Sequence, residues 1–82
     1  MPLDELATER RIAGRNGVLR GLKADYIEKV FLSREADKFL LDEIIRLADQ
    51  KKVSVEWADT SVQLGRACAV DRKTAVAAIL KK

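Results

Sequence analysis

Between Glu35 and Gln50 a single helical pattern is set between two strand-like runs, and this arrangement constrains the fold more than any other feature of the chain. Leu40, Ile44, Leu47 and Ala48 recur at helical spacing, with Leu41 and Ile45 widening the apolar stripe. Before it, Tyr26–Leu32 holds the continuous apolar run Val30-Phe31-Leu32, as in a strand buried on both faces. After it, a turn at Lys51–Lys52 leads to Val53, Val55 and Trp57, alternating with Ser54 and Glu56 as in a strand. Trp57 is expected in the core rather than as a base-stacking platform. Thr60 and Gln63 have the spacing of a capping box, which opens a helix running to about Cys68. A loop, Ala69–Thr74, then precedes an apolar strand, Ala75–Leu80.

Strand and helix therefore alternate from Tyr26 onwards, and 82 residues suffice for one domain. The expectation is an α/β fold: a three-layer α-β-α sandwich around a small four-stranded sheet, mostly parallel or mixed, with right-handed crossovers. Upstream, Pro2, Asp4 and Glu5 suit a helix start, and Arg11–Ala13 a short extended piece. Gly14 breaks the pattern, and a helix follows from about Asn16 to Lys23. In such folds function gathers on loops at one sheet edge. Here those loops are the Gly14 turn, the Ser33–Asp37 turn and Ala69–Thr74.

Several function classes are set aside by composition. The chain has no histidine, which removes the commonest general base and metal ligand. Its one cysteine, Cys68, lies in an alanine-rich helical stretch and reads as a small buried hydrophobe. No cofactor, metal or catalytic site is expected. The acids Asp42, Glu43, Asp49 and Asp59 read as a solvated face with no basic group converging on them. Hydrophobic residues make up 48% and charged residues 35%, a globular composition with no run long enough for a bilayer. A cytoplasmic monomer is expected, away from membranes.

The net charge of +3 is unevenly spread. Arg10, Arg11, Arg15, Arg20 and Lys23 form one acid-free stretch; Arg66, Arg72, Lys73, Lys81 and Lys82 form another interrupted only by Asp71. Between them Ala24–Asp59 carries nine acids and six bases. Folding either joins the two basic segments into one positive face or leaves them as ordinary surface charge. Asn16, Arg20 and Lys23 fall at i, i+4 and i+7, on one helix face, with Val18, Leu19 and Leu22 turned inward. Gly17 and Gly21 each weaken a helix by about 1 kcal/mol relative to alanine. Close approach of a ligand and close packing of another element explain them equally well. Gly14-Arg15-Asn16-Gly17 is a literal GXXG, as in a KH domain, but the strand–helix alternation downstream is not KH topology. The segment also lacks the Gly-Lys-Ser/Thr of a P-loop.

Leu64-Gly65-Arg66-Ala67-Cys68-Ala69-Val70, then Arg72 and the closing Ala-Val-Ala-Ala-Ile-Leu, resemble the C-terminal signature of the L-seven-Ae / L-thirty-e ribosomal protein family. Gly14-x-Asn16-x-Val18-x-Arg20-x-Leu22 is similar to that family's G-x-N-E-V-x-K-x-L, and Val30–Asp37 to its strand and acidic turn. The resemblance implies binding of RNA kink-turns, sharply bent internal loops with sheared G·A pairs, in ribosomal or regulatory RNA. It implies that Asn16 and Arg20 reach G·A bases, with Gly14 and Arg15 beside phosphates and Lys23 and Arg72 adding charge. Asp37 would lie near a flipped-out nucleotide, with Leu41 in the apolar wall beside it. Val70, Asp71 and Arg72 would form a loop over exposed bases. Gly17 stands where the family has Glu or Gln, and Ala69 where it commonly has Gly. A member that has lost base readout and serves as a protein-interaction module is the alternative.

Overall fold

In a computed structural model, which describes residues 10–68 and 73–81, the elements follow in the order β1 (Arg11–Ala13), α1 (Arg15–Lys23), β2 (Ile27–Ser33), α2 (Lys38–Gln50), β3 (Ser54–Ala58), α3 (Ser61–Ala67) and β4 (Val76–Leu80). The helix suggested by Pro2, Asp4 and Glu5 lies outside the described residues. The four strands form one sheet in the order β1-β4-β2-β3. β2 and β3 are parallel, whereas β4 runs antiparallel to both β1 and β2. The sheet is thus mixed. Of the two arrangements expected, mostly parallel or mixed, the mixed one forms, because β4 enters the sheet between β1 and β2 in the opposite sense.

Two cores lie on opposite sheet faces. On one, Val18, Leu19 and Leu22 of α1 and Leu41, Ile44 and Ala48 of α2 pack on Ile27, Val30, Leu32, Val76 and Ala78. On the other, Leu64 and Cys68 pack on Phe31, Ala58, Ala77 and Ile79. Helices thus cover both faces, giving three layers. The alternation of side chains along a strand deals Phe31 to one face and Val30 and Leu32 to the other. Ile27 would share the face of Phe31 but for a register shift between Ile27 and Lys29, which leaves Glu28 unmatched. The bulge returns Ile27 to the α1 face.

Both helices of that face stop in the same way. Asp25 (φ 63°) and Lys52 (φ 58°) adopt left-handed backbone, and the next residue's N–H returns to the helix. Tyr26 N–H bonds to the Gly21 carbonyl at 3.1 Å and Val53 N–H to the Ala48 carbonyl at 2.8 Å. Lys51 Nζ lies 3.1 Å from Asp25 Oδ1, joining the two turns. α1 and α2 therefore end together, at the edge opposite the turns that open them.

Candidate nucleic-acid interface

Because β1, β2 and β3 point the same way and β4 opposes them, three strand ends and the start of β4 share one edge. Hydrogen bonds knit its turns together. Gly14 N–H donates to the Val76 carbonyl at 2.8 Å, Ser33 N–H to Ala75 at 2.9 Å, Arg34 N–H to Ala58 at 2.9 Å, and Thr74 N–H to Ser61 at 3.0 Å. The buried hydroxyls of Ser33 and Ser61 are 2.8 Å apart. Glu35 Oε1 accepts from Ser61 N–H at 2.7 Å. The Gly14 turn, the Ser33–Asp37 turn and Lys73–Thr74 are therefore fixed relative to one another.

Gly14 precedes α1 with φ 105° and ψ 146°, a conformation that L side chains rarely adopt. A Cβ there would meet nothing within 4 Å, so the glycine serves the backbone path alone. No side chain caps α1, and its first internal hydrogen bond comes from Val18 N–H to the Gly14 carbonyl at 3.2 Å. Beside the start of α1 lies a cleft of about 200 Å³ lined by Ala13, Gly14, Arg15, Lys73, Thr74, Ala75 and Val76. The positive end of the helix dipole lies at the same place. Asn16, Arg20 and Lys23 are all exposed, while Val18, Leu19 and Leu22 face the core. Backbone donors, one amide side chain and a set of cations are the equipment for an anionic polymer with base edges.

The other sequence-derived site residues meet different fates. Arg15 is engaged with α2: its Nε donates to the Leu40 carbonyl at 3.0 Å and its second guanidinium nitrogen to Glu43 Oε1 at 2.9 Å. Glu43 is therefore paired, contrary to its reading as a solvated acid, and Asp59 lies 3.6 Å from Arg34 Nε. Gly17 is a packing glycine: a Cβ there would lie 2.6 Å from Ile12 Cγ2. Asp37 is the N-cap of α2, its Oδ1 accepting from Phe39 N–H at 2.9 Å. Leu41 is only 2% exposed and belongs to the core, so it offers RNA almost no surface. Val70, Asp71 and Arg72 lie outside the described residues, as does Ala69.

Two aromatic residues are exposed, Trp57 against expectation. Trp57 is not buried; it is 42% exposed on the edge strand β3, with Arg34 stacked 5.8 Å from its ring centre. Phe39 is 86% exposed on the first turn of α2. Its sequence signal was a large aromatic lying off the helical stripe. Cys68 is buried as expected. Burial pushes its thiol pKa up, and the nearby Arg11 cation only partly opposes this, so it is a protonated and poor nucleophile.

Residues 11–82 match the sequence profile of the family described as RNA 2′-O ribose methyltransferase substrate binding. An RNA-binding protein of Bacillus pumilus is 29% identical over 69 residues, covering 84% of each chain. One from Caldanaerobacter subterraneus is 24% identical over 74 residues, covering 90% of each. Among solved structures, the 15.5kD RNA binding protein of Giardia lamblia superposes with a TM-score of 0.86 at 26% identity, over 98% of this chain and 68% of that one. A Bacillus halodurans protein of unknown function shares the fold, with a TM-score of 0.84 at 17% identity over 94% of this chain and 81% of that one.

Proposed function

The chain belongs to the family of RNA 2′-O ribose methyltransferase substrate-binding domains, and on that premise we propose that it is an RNA-binding module which grips a kink-turn at the edge carrying Gly14. The observation that carries this reading is the cleft beside the uncapped start of α1, bordered by Arg15 and Lys73, with exposed Asn16, Arg20 and Lys23 following along the helix. Backbone N–H groups and cations hold phosphates in place, and Asn16, with both donor and acceptor, reads a base edge. The likeness to the Giardia RNA binding protein supports the same use of the fold. The module acts by binding rather than catalysis: the sequence has no histidine, and its only thiol is buried. A cytoplasmic monomer on ribosomal or regulatory RNA completes the proposal.

Gly17 shapes the mechanism. Ile12 occupies the space that a larger side chain would enter, so discrimination falls to Asn16 and Arg20. Titration of a labelled kink-turn RNA against a duplex lacking the G·A pairs tests the reading. Tighter binding to the kink-turn is expected, and Asn16→Ala should lower that affinity about tenfold while changing duplex binding little. Equal affinity of the wild-type protein for both RNAs would sink kink-turn recognition. The second reading, a protein-interaction module without base readout, draws on exposed Trp57 and Val62; partners retained after ribonuclease treatment would favour it.

A further inference from the structure

Among the described residues, Phe39 is the most exposed large hydrophobic, at 86%. A lone exposed apolar side chain is ordinary, but the backbone beneath this one is anchored on both sides. Asp37 Oδ1 accepts from its N–H at 2.9 Å. Arg15 Nε donates to the carbonyl of the next residue, Leu40, at 3.0 Å. Phe39 and Glu43 also stand at i and i+4, on one stripe of α2. Glu43 is the residue that meets Arg15, the first residue of α1, at 2.9 Å. Helical side chains lean toward the N-terminus of their own helix. The ring is thus carried toward the loop edge, on the side of α2 that faces the opening turn of α1.

We propose that Phe39 is a stacking platform for an unpaired base of the RNA held at the N-terminus of α1. The proposal rests on the RNA-binding reading above and names the part of the RNA that this surface takes. Three features favour a base over a protein partner. Arg15 both lines the cleft and bonds to α2 at Leu40 and Glu43, so a strand with phosphates in the cleft has bases within reach of α2. The apolar surface is one ring with half-exposed Leu40 beside it, at 48%, which matches a nucleobase better than the area a stable protein interface needs. The Arg15 clasp sets the platform relative to Asn16 without using Asn16 itself, leaving it free to read another base. Stacking on an aromatic ring accepts any base, so Phe39 adds affinity and selects for an unpaired nucleotide rather than for a sequence.

Fluorescence titrations of wild-type protein, Phe39→Ala and Phe39→Tyr test this. The probes are a kink-turn RNA, a G·A-less duplex, and kink-turn RNAs made abasic at each unpaired position in turn. Phe39→Ala should lose about tenfold in kink-turn affinity with an unchanged Tm, and Phe39→Tyr should stay within about twofold of wild type. At one unpaired position the abasic RNA should bind wild type and Phe39→Ala equally, because base and ring act as a pair. A Phe39→Ala protein within twofold of wild type on the intact kink-turn would overturn the platform while leaving the RNA reading standing. So would independent, multiplying losses at every abasic position. An RNA affinity untouched by Phe39→Ala but a changed sedimentation coefficient would assign the ring to contact with a second copy. A wild-type protein that binds no RNA would remove both the RNA reading and the platform.

Discussion

Gly21 shows how finely single residues are fitted. A Cβ at Gly21 would lie 2.5 Å from Ile27 Cδ1 and 2.7 Å from Cγ1, so a side chain there would have to displace Ile27. Alanine would add about 1 kcal/mol of helix propensity, but overpacking costs roughly 1–3 kcal/mol. Gly21→Ala should therefore destabilise the protein by about 1 kcal/mol, lowering Tm by roughly 4–8 °C. In an Ile27→Val background, which lacks the Cδ1 methyl, the penalty should shrink; an undiminished penalty would show that the clash is not the cause. Of the two explanations the sequence left open for these glycines, packing accounts for Gly17 and Gly21. Only Gly14 is required by its backbone conformation.

At the scale of elements, α2 differs from its sequence reading at both its start and its face. A start at Glu35 was expected, but Glu35 bonds to Ser61 N–H, and Asp37 caps a helix that begins at Lys38. The buried face is Leu41, Ile44 and Ala48, while Leu40 and Ile45 are partly exposed. Two adjacent apolar stripes were present in the sequence, and only contact with α1 and the sheet selects between them. Asp37 was legible as functional by resemblance, but its geometry is that of an N-cap. Asp37→Asn should retain near-wild-type stability, because asparagine caps as well, whereas Asp37→Ala should cost about 1 kcal/mol in urea unfolding. If Asp37→Asn also abolishes RNA binding while folding normally, the carboxylate has a second role at the interface.

Across the whole molecule, the edge of the sheet decides where charge and backbone donors meet. Arg15 of one basic segment and Lys73 of the other line the cleft at this edge, and exposed Arg20 and Lys23 extend away from it along α1. Three phosphate contacts would give log affinity against log salt a slope of about −2 to −3. A Lys73→Ala variant should weaken binding uniformly across RNAs and make that slope shallower by about one contact. A salt-independent affinity would show that phosphate contacts do not drive binding. The two basic segments, distant in sequence, line one cleft because β1 and β4 are paired neighbours, with Ala13 opposite Ala77.

What the sequence determined by itself was the series of elements from β1 to β4, the Thr60 cap, the inward face of α1 and the exposure of Asn16, Arg20 and Lys23. These follow from local periodicity and capping chemistry, which act over a few residues. Tertiary structure alone decided the direction of β4, the burial of Leu41, the exposure of Trp57, the pairing of Glu43 with Arg15, and the seat of Phe39. Each depends on which strand or helix lies alongside, a long-range choice that local pattern does not encode. Trp57 is exposed because β3 is an edge strand; the same alternation in a central strand would have buried it.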